Sequence, residues 1–599
     1  MLDRLINLAI THRLLMVIAL CVVFIGSYFV IPKLNLDAFP DVTNVQVAIN
    51  TEAAGLAAEE VEKLITFPIE SLMYALPDVE QVRSISKTGL SGITVVFKEG
   101  TDLYFARQLV FQRLQSAKEL IPQGVGVPEI GPNTSGLGQV YQYLLSADAD
   151  SGFDIIQLRS LNDWLVKLLL MPIDGVTDVL SFGGAVKQYQ VNINPTQLLA
   201  YQVDQQMIVE ALEANNQNAG GWYLERGQEQ LVIRGMGWLS AGRQGLEQIK
   251  QIPIKTIAGV VVTVGDMAQV EFGSEIRQGA ASMTLRQADG TIVSKGEVVT
   301  GVVLKRMGAN TKATIDGINQ REKIINQSLP KGVRFEAIYD QADLVEQAVT
   351  TVVDALVIAF LLIVAILMLF LFDLSATLLV LLSIPVSIAI ALMVMAWLGL
   401  SANLMSLGGL AVAIGMLVDG SVVMVENIVK SLSQSHSQNH QQNLQQSAHK
   451  CQTPAMPELV FNAAKQVAKP TFFASLIILV VFLPLFSFTG VEAKLFQPMA
   501  ISIMIAVISA LVVALFFVPA LAVLLFKRGR KVKQVAWLNF IEKHYQRLLI
   551  WSLNHSKSIF SGVIALIMVA AFITPKLGTE FVPELEEGTL NVRVTLAPT

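Results

Sequence analysis

The sequence places two carboxylates seven positions apart in an otherwise apolar run: Asp419 and Glu426 are the only charges between Ala413 and Asn427. On a helix, seven steps of about 100° return to nearly the same face, so Glu426 falls almost under Asp419, about 10 Å along the axis. A carboxylate at bilayer depth costs on the order of 2.5 to 3.5 kcal/mol. It is therefore expected to face the interior of a helix bundle, where burial favours the protonated form. A carboxyl that gains and loses a proton inside a bundle is what a proton-coupled carrier needs. The competing reading makes Asp419 a structural hydrogen-bonder and puts Glu426 at the water-facing end of the helix. No basic partner for Asp419 stands in any apolar run of the chain. Gly408, Gly409, Gly415 and Gly420 flank the pair and suit close helix packing.

A second group that looks chemical is His436, His440, His449 and Cys451. A spacing of four suits a metal clamp if the stretch is helical. The surrounding Ser, Gln and Asn tract reads instead as an unstructured linker. The sequence holds no G-x-x-x-x-G-K-[ST], H-E-x-x-H, C-x-x-C or G-x-S-x-G motif, so no enzyme is indicated. With 53% hydrophobic residues, 15% charged and a net charge of -5, neither a soluble protein nor a nucleic-acid partner is supported. Cys21 falls in an apolar run and Cys451 in a polar loop, so they make no disulfide.

The elements that must position Asp419 and Glu426 are membrane spans. Leu14 to Ile31 is uncharged, and Pro32-Lys33-Leu34 is no cleavage site, so this is a first, uncleaved span. Further charge-free runs occupy 355–372, 374–418, 470–491, 495–526 and 558–575. The run 374–418 is long enough for two helices, broken near Gly399-Leu400-Ser401-Ala402, which makes seven spans. Lys430, Lys450, Lys465 and Lys469 lie between the fourth and fifth spans, and Lys527, Arg528, Arg530, Lys531 and Lys533 follow the sixth. Those loops are cytoplasmic by the positive-inside rule, and residues 32–347 face outward. Asp354 reads as interfacial.

The outer region reads as α+β. Strands at 44–49, 79–86 and 92–97, helices at 58–74 and 102–120, and a last strand near Val125 give a β-α-β-β-α-β, ferredoxin-like unit. A second copy starts near Gln139, has helices at 158–170 and 313–328, and is interrupted by a strand-rich insertion. The expected organisation is a first span (1–31), a first porter unit (32–135), a second porter unit (136–186 and 286–347) and an inserted docking module (187–285). Then come spans two to four (348–429), a polar cytoplasmic loop (430–469), spans five and six (470–526), a basic amphipathic segment (527–557), span seven (558–575) and a further outer region (576–599). Pro32-Lys33-Leu34, Asp37, Pro40 and Asp41 reappear as Pro575-Lys576-Leu577, Glu580, Pro583 and Glu584, each set just after a span. The expectation is a parallel-repeat transporter about twice as long, of which a second half begins here.

Leu36 to Val42, Ala214 to Gly221, Lys305 to Asn310 and the Val418-Asp419-Gly420 to Glu426-Asn427 core together resemble the heavy-metal-efflux branch of the resistance-nodulation-division (RND) transporters, the CzcA/CusA type. The resemblance implies a bacterial inner-membrane proton/substrate antiporter, trimeric, working with a periplasmic adaptor protein and an outer-membrane channel. It implies that Asp419 and Glu426 form the proton relay, with no cofactor beyond the proton gradient and with the metal ion as cargo. Gly420, where multidrug members carry a second aspartate, points to the metal branch. Ala413 departs from the cobalt-zinc-cadmium type, and Arg593 stands where the copper/silver type has methionine, so the metal stays open. Residues 32–347 hold no His and no Cys, and Met207, Met236, Met267 and Met283 show no ligand spacing. The alternatives are a pump for amphiphilic organic compounds and a non-transporting membrane scaffold or sensor. The insertion cost of the paired carboxylates argues against the scaffold.

Overall fold

The computed structural model describes residues 2–37, 39–122, 125–257, 259–277, 279–287, 289–371, 373–442, 455–526 and 536–578. Among them are seven helices long and apolar enough to cross a membrane. The first is Arg13–Val30 and the second Gln341–Leu371. The third is Leu374–Trp397, the fourth Leu404–Gln442, the fifth Met456–Phe482 and the seventh Ser556–Ile573. The sixth runs Gly490–Val512, widens through a π turn at Val513–Phe517 and ends with Val518–Leu525. The break between the third and fourth falls where the sequence placed it: Gly399 takes φ +70, a left-handed conformation that side chains resist. An amphipathic helix, Leu2–Thr11, buries Ile6, Ala9 and Ile10 against the fifth and sixth spans.

The first outer unit comprises β1 (Gln46–Glu52), a helix in three consecutive pieces from Ala58 to Met73, β2 (Val79–Lys87), β3 (Leu90–Phe97), the helix Leu103–Lys118 and β4 (Pro128–Ile130). Its sheet order is β2-β3-β1-β4, antiparallel throughout. Alternation on β1 and β3 sends Val47, Ile49, Ile93 and Val95 inward onto Val61, Ile65, Val110 and Leu114 of the two helices. Asp102 accepts from the Phe105 amide and starts the second helix.

The second unit repeats this plan with β5 (Thr134–Ala147), a helix from Ile155 to Leu170 and β6 (Val176–Phe182). After an insertion come β14 (Ile292–Arg306), the helix Thr311–Ser328 and β15 (Val333–Asp340), in the sheet order β6-β14-β5-β15. The first helix of each unit carries a π turn, at Glu62–Thr66 and Asn162–Val166. The insertion holds β7 (Lys187–Ile193), β8 (Ala219–Arg226), β9 (Glu229–Gly235), β10 (Pro253–Ile257), β11 (Val260–Thr263), β12 (Ala268–Ser274) and β13 (Ala281–Arg286). β7 pairs with β12, β10 with β11 and β8 with β9, while β13 pairs with β14. Among the described residues the insertion also has the helices Pro195–Tyr201, Gln205–Ala214, Arg243–Lys250 and the short Val264–Met267.

Several boundaries shift from those read in the sequence. The second unit begins at Thr134 and closes with β15, a strand the hydrophobic pattern did not reveal because it runs directly into the second span. That span starts at Gln341, well before its charge-free core, and carries Asp343, Glu346 and Asp354 in its outer turns. The polar loop expected at 430–469 is much shorter. The fourth helix continues to Gln442, and the fifth, with Pro457 in its first turn, already contains Lys465 and Lys469. No Gly or Pro interrupts the chain from Ser421 to Thr453, so nothing stops the helix at the membrane surface. His436 and His440 thus lie on helical backbone, whereas His449 and Cys451 fall outside the described residues. So do Lys527 to Lys533, the repeat positions Glu580, Pro583 and Glu584, and Arg593.

Candidate functional site

The fourth span is built from two unlike sides. One side buries Leu410, Ala413, Ile414, Val418, Ser421, Met424, Val425 and Ile428 against the second, third, fifth and sixth spans. Glycine makes that approach close. A Cβ on Gly409 would lie 2.3 Å from Ser502 Oγ and 2.8 Å from the Met499 carbonyl oxygen of the sixth span. One on Gly420 would lie 3.2 Å from Thr471 Cγ2 and 3.5 Å from Ala514 Cβ, the latter inside the π turn of the sixth span. The residue after Asp419 is therefore a packing point for two neighbouring spans.

The other side is open. Val412, 61% exposed, Gly415, Asp419, Val423, 45% exposed, Glu426 and Lys430 form one exposed stripe at helical spacing. Asp419 and Glu426 do share a face, as their spacing requires. The expectation that they look into the bundle formed by this chain is corrected: the face they share is the one its spans leave uncovered. The reason is steric: the arc centred on Leu410, Ser421 and Ile428 is taken by the neighbouring spans, and Gly409 and Gly420 let the sixth span close in at its flank. The carboxylates fall on the arc opposite its centre, where Gly415 also lies. Gly408 and Gly415 meet no neighbouring span among the described residues. Among the described residues neither carboxylate has a hydrogen-bond or ion-pair partner.

At 1.5 Å per residue, Asp419 lies about 22 Å from Leu404 along the axis and Glu426 about 33 Å. With Leu404 taken as the outer edge of a hydrocarbon core of about 30 Å, Asp419 falls within it and Glu426 close to its other boundary. Polar neighbours gather at that second level: Asn427 Nδ2 donates to the Ala463 carbonyl at 2.7 Å and to Gln466 Oε1 at 3.2 Å. Ala413, where the cobalt-zinc-cadmium pattern has an acid, is fully buried beside Ile503 and Ala506 of the sixth span. A carboxylate there would sit on the sealed side, away from Asp419. No three His, Cys, Asp or Glu side chains converge as a metal site among the described residues.

Two polar clusters at the outer membrane boundary were not singled out for chemistry by sequence reasoning. Asp37 and Lys305 meet across the chain at 3.0 Å, and Lys494 of the sixth span reaches Thr43, Asn44 and Glu99. The signals were indirect: Asp37 and Lys305 fall in two of the segments that carry the resemblance, and Lys494 stands beside a span end; pairing over such separations leaves no local pattern.

An outer α+β region carried on seven hydrophobic helices, one of them bearing paired carboxylates, defines a polytopic membrane protein with machinery on both sides of the outer boundary. The chain belongs to the AcrB/AcrD/AcrF family, whose model matches residues 5–599. It is 36% identical over 605 residues to the cobalt-zinc-cadmium resistance protein CzcA of Cupriavidus metallidurans, covering 100% of this chain and 54% of that protein. It is 32% identical over 594 residues to the cation efflux system protein CusA of Escherichia coli (strain K12), covering 98% of this chain and 54% of that one. The crystal structure of a heavy metal efflux pump, crystal form II, superposes with a TM-score of 0.79 at 29% identity, over 97% of this chain and 53% of the other. The chain thus spans about half the length of the curated relatives it matches.

Proposed function

We propose that this chain is part of a bacterial inner-membrane exporter that drives heavy-metal cations outward with the proton gradient, Asp419 carrying the proton and Glu426 assisting from the inner boundary. The observation that carries the reading is the open stripe of the fourth span. An apolar helix places a carboxylate at membrane depth on the one face its own bundle does not cover. The relatives continue for as much length again, and helices from that length are the natural cover for the stripe. Covered in this way, Asp419 becomes the desolvated carboxyl that proton coupling requires.

Trimer formation with an adaptor and an outer-membrane channel belongs to the same proposal. It is supported by the β8–β9 hairpin, every residue of which is exposed, with Trp222 83% and Val232 67% exposed. Apolar side chains on an arm with nothing beneath them mark an interaction surface. The transported ion serves as substrate, and no resident cofactor enters the scheme.

Expression of the complete reading frame in a host stripped of its own metal pumps tests the proposal. Tolerance to zinc, cobalt, cadmium, copper or silver should rise, and tolerance to amphiphilic dyes should not. The reverse pattern would establish an organic-compound pump instead.

A further inference from the structure

Asp37, in the linker after the first span, accepts from the Lys305 ammonium at 3.0 Å and from the Thr311 hydroxyl, and Lys305 also donates to Thr311 Oγ1 at 2.7 Å. Lys305, 8% exposed, and Thr311 are buried in this closed triangle, and Asp37 is partly so. The same linker is held on both flanks. Asn310 Nδ2 donates to the Leu34 carbonyl at 3.2 Å, and the Ala402 amide donates to the Asn35 carbonyl at 2.8 Å. The second outer unit is thereby fixed to the linker and to the turn between the third and fourth spans. The first outer unit is fixed elsewhere. Lys494, near the outer end of the sixth span, donates to the Thr43 carbonyl and to Asn44 Oδ1, both at 2.9 Å, and stands 3.5 Å from Glu99.

Between the two units lies a cleft of about 920 Å³, lined by Glu52, Arg107 and Glu129 from the first and by Met171, Asp178 and Arg306 from the second. Alternation along β14 links clamp and cleft: Lys305 turns to the linker while its neighbour Arg306 lines the cleft and pairs with Asp174 at 3.0 Å. A buried ion pair is a poor source of stability, since apolar replacements are often neutral or better, but it fixes one geometry. Here a largely buried ion pair on one side and the partly exposed Lys494 clamp on the other tie the two walls of one cleft to different membrane elements. The fourth span touches both elements, through its own outer turn and through Gly409 against the sixth span.

We propose that Lys305 and Lys494 are positioning residues of the transport cycle. A shift of the fourth and sixth spans relative to the linker is relayed through these two clamps as a change in the width of the cleft between the outer units. The inference rests on the transporter reading above.

The test uses the complete protein in vesicles under an imposed pH gradient, lacking Cys21 and Cys451 and carrying spin labels at Tyr104→Cys and Met171→Cys across the cleft. Zinc or silver flux and the change of label distance on adding metal are read together. In Lys305→Met, turnover should fall about tenfold with the half-saturating metal concentration unchanged. The distance change should vanish while melting temperature and oligomer size hold, and Lys305→Arg should recover most of the turnover. Lys494→Met should show the same split, and it carries the test if Lys305→Met does not fold. Normal flux and a normal distance change in a folded Lys305→Met and Lys494→Met would overturn the clamps and leave the transporter reading intact. So would variants that only melt earlier, with full turnover per folded molecule. Absence of any metal flux in the unsubstituted protein would overturn both.

Discussion

The two sides of the fourth span set structure and chemistry apart on one helix. The side against the sixth span is made of small and apolar residues, and at Gly409 it admits no Cβ. The opposite side carries Asp419 and Glu426 and is left exposed by the described residues of this chain. A helix can hold a carboxylate at membrane depth while remaining packed only if the charge lies on the arc its tight neighbours do not use. Geometry on the sealed side therefore determines where chemistry is possible on the open one.

Filling the sealed side should do the most damage. Gly409→Leu forces the fourth and sixth spans apart, and overpacking of this kind costs about 1–3 kcal/mol, more where backbone must move. In the complete protein we expect loss of metal tolerance together with reduced trimer yield on size-exclusion chromatography. Normal assembly would show that the close approach at Gly409 is not required.

Gly301 asks whether the same rule governs the outer region. A Cβ there would fall 2.0 Å from the Tyr143 ring, which is fully buried and donates to Asn162 Oδ1 at 2.7 Å. Gly301→Ala should lower the stability of the second unit by about 1–3 kcal/mol, read as earlier protease cleavage within residues 134–340. Unchanged cleavage would show that the Tyr143 ring moves aside freely.

Alkaline pH probes the same core without a substitution. Burial holds the hydroxyls of both Tyr143 and Tyr141 above the ordinary tyrosine value of 10.0. Below pH 10 folded and unfolded forms are both neutral there, and the contribution to stability is complete. Above it the unfolded chain ionises first, so stability falls as pH rises. Melting temperature should drop faster above pH 10 in the native protein than in Tyr143→Phe; parallel curves would remove Tyr143 as the cause.

The smallest effect is expected from the polar residues 443–449, which lie outside the described residues. Deleting 443–449 from the complete protein should leave metal tolerance within about twofold, since the segment is mostly polar and its sequence holds one metal-ligating side chain, His449. A large loss would give His449 and its neighbours a role in metal handling.

Much of this was legible because it is periodic. The seven apolar runs, the break at Gly399, the β-α-β-β-α-β order of the first outer unit and the two helices of the second follow from patterns of period 3.6 and 2, and the shared face of Asp419 and Glu426 follows from their spacing. What stayed hidden is non-local. Which arc of the fourth helix is sealed depends on Ser502 and Met499, far along the chain, so the inward direction expected for Asp419 was wrong for this chain's bundle. The Lys305–Asp37 pair joins residues 268 positions apart and leaves no local trace. The end of the fourth helix was misplaced because polar composition was weighed above the lack of any helix stop after Ser421.

The central claim, that Asp419 is the proton carrier, is tested most directly by measuring metal and proton flux together in vesicles containing the complete protein. Asp419→Asn keeps size and hydrogen-bonding capacity and removes titration. It should bring both fluxes to background while expression and trimer formation remain near normal, and Glu426→Gln, at the inner boundary, should reduce them less. Undiminished coupled flux in Asp419→Asn would contradict the account.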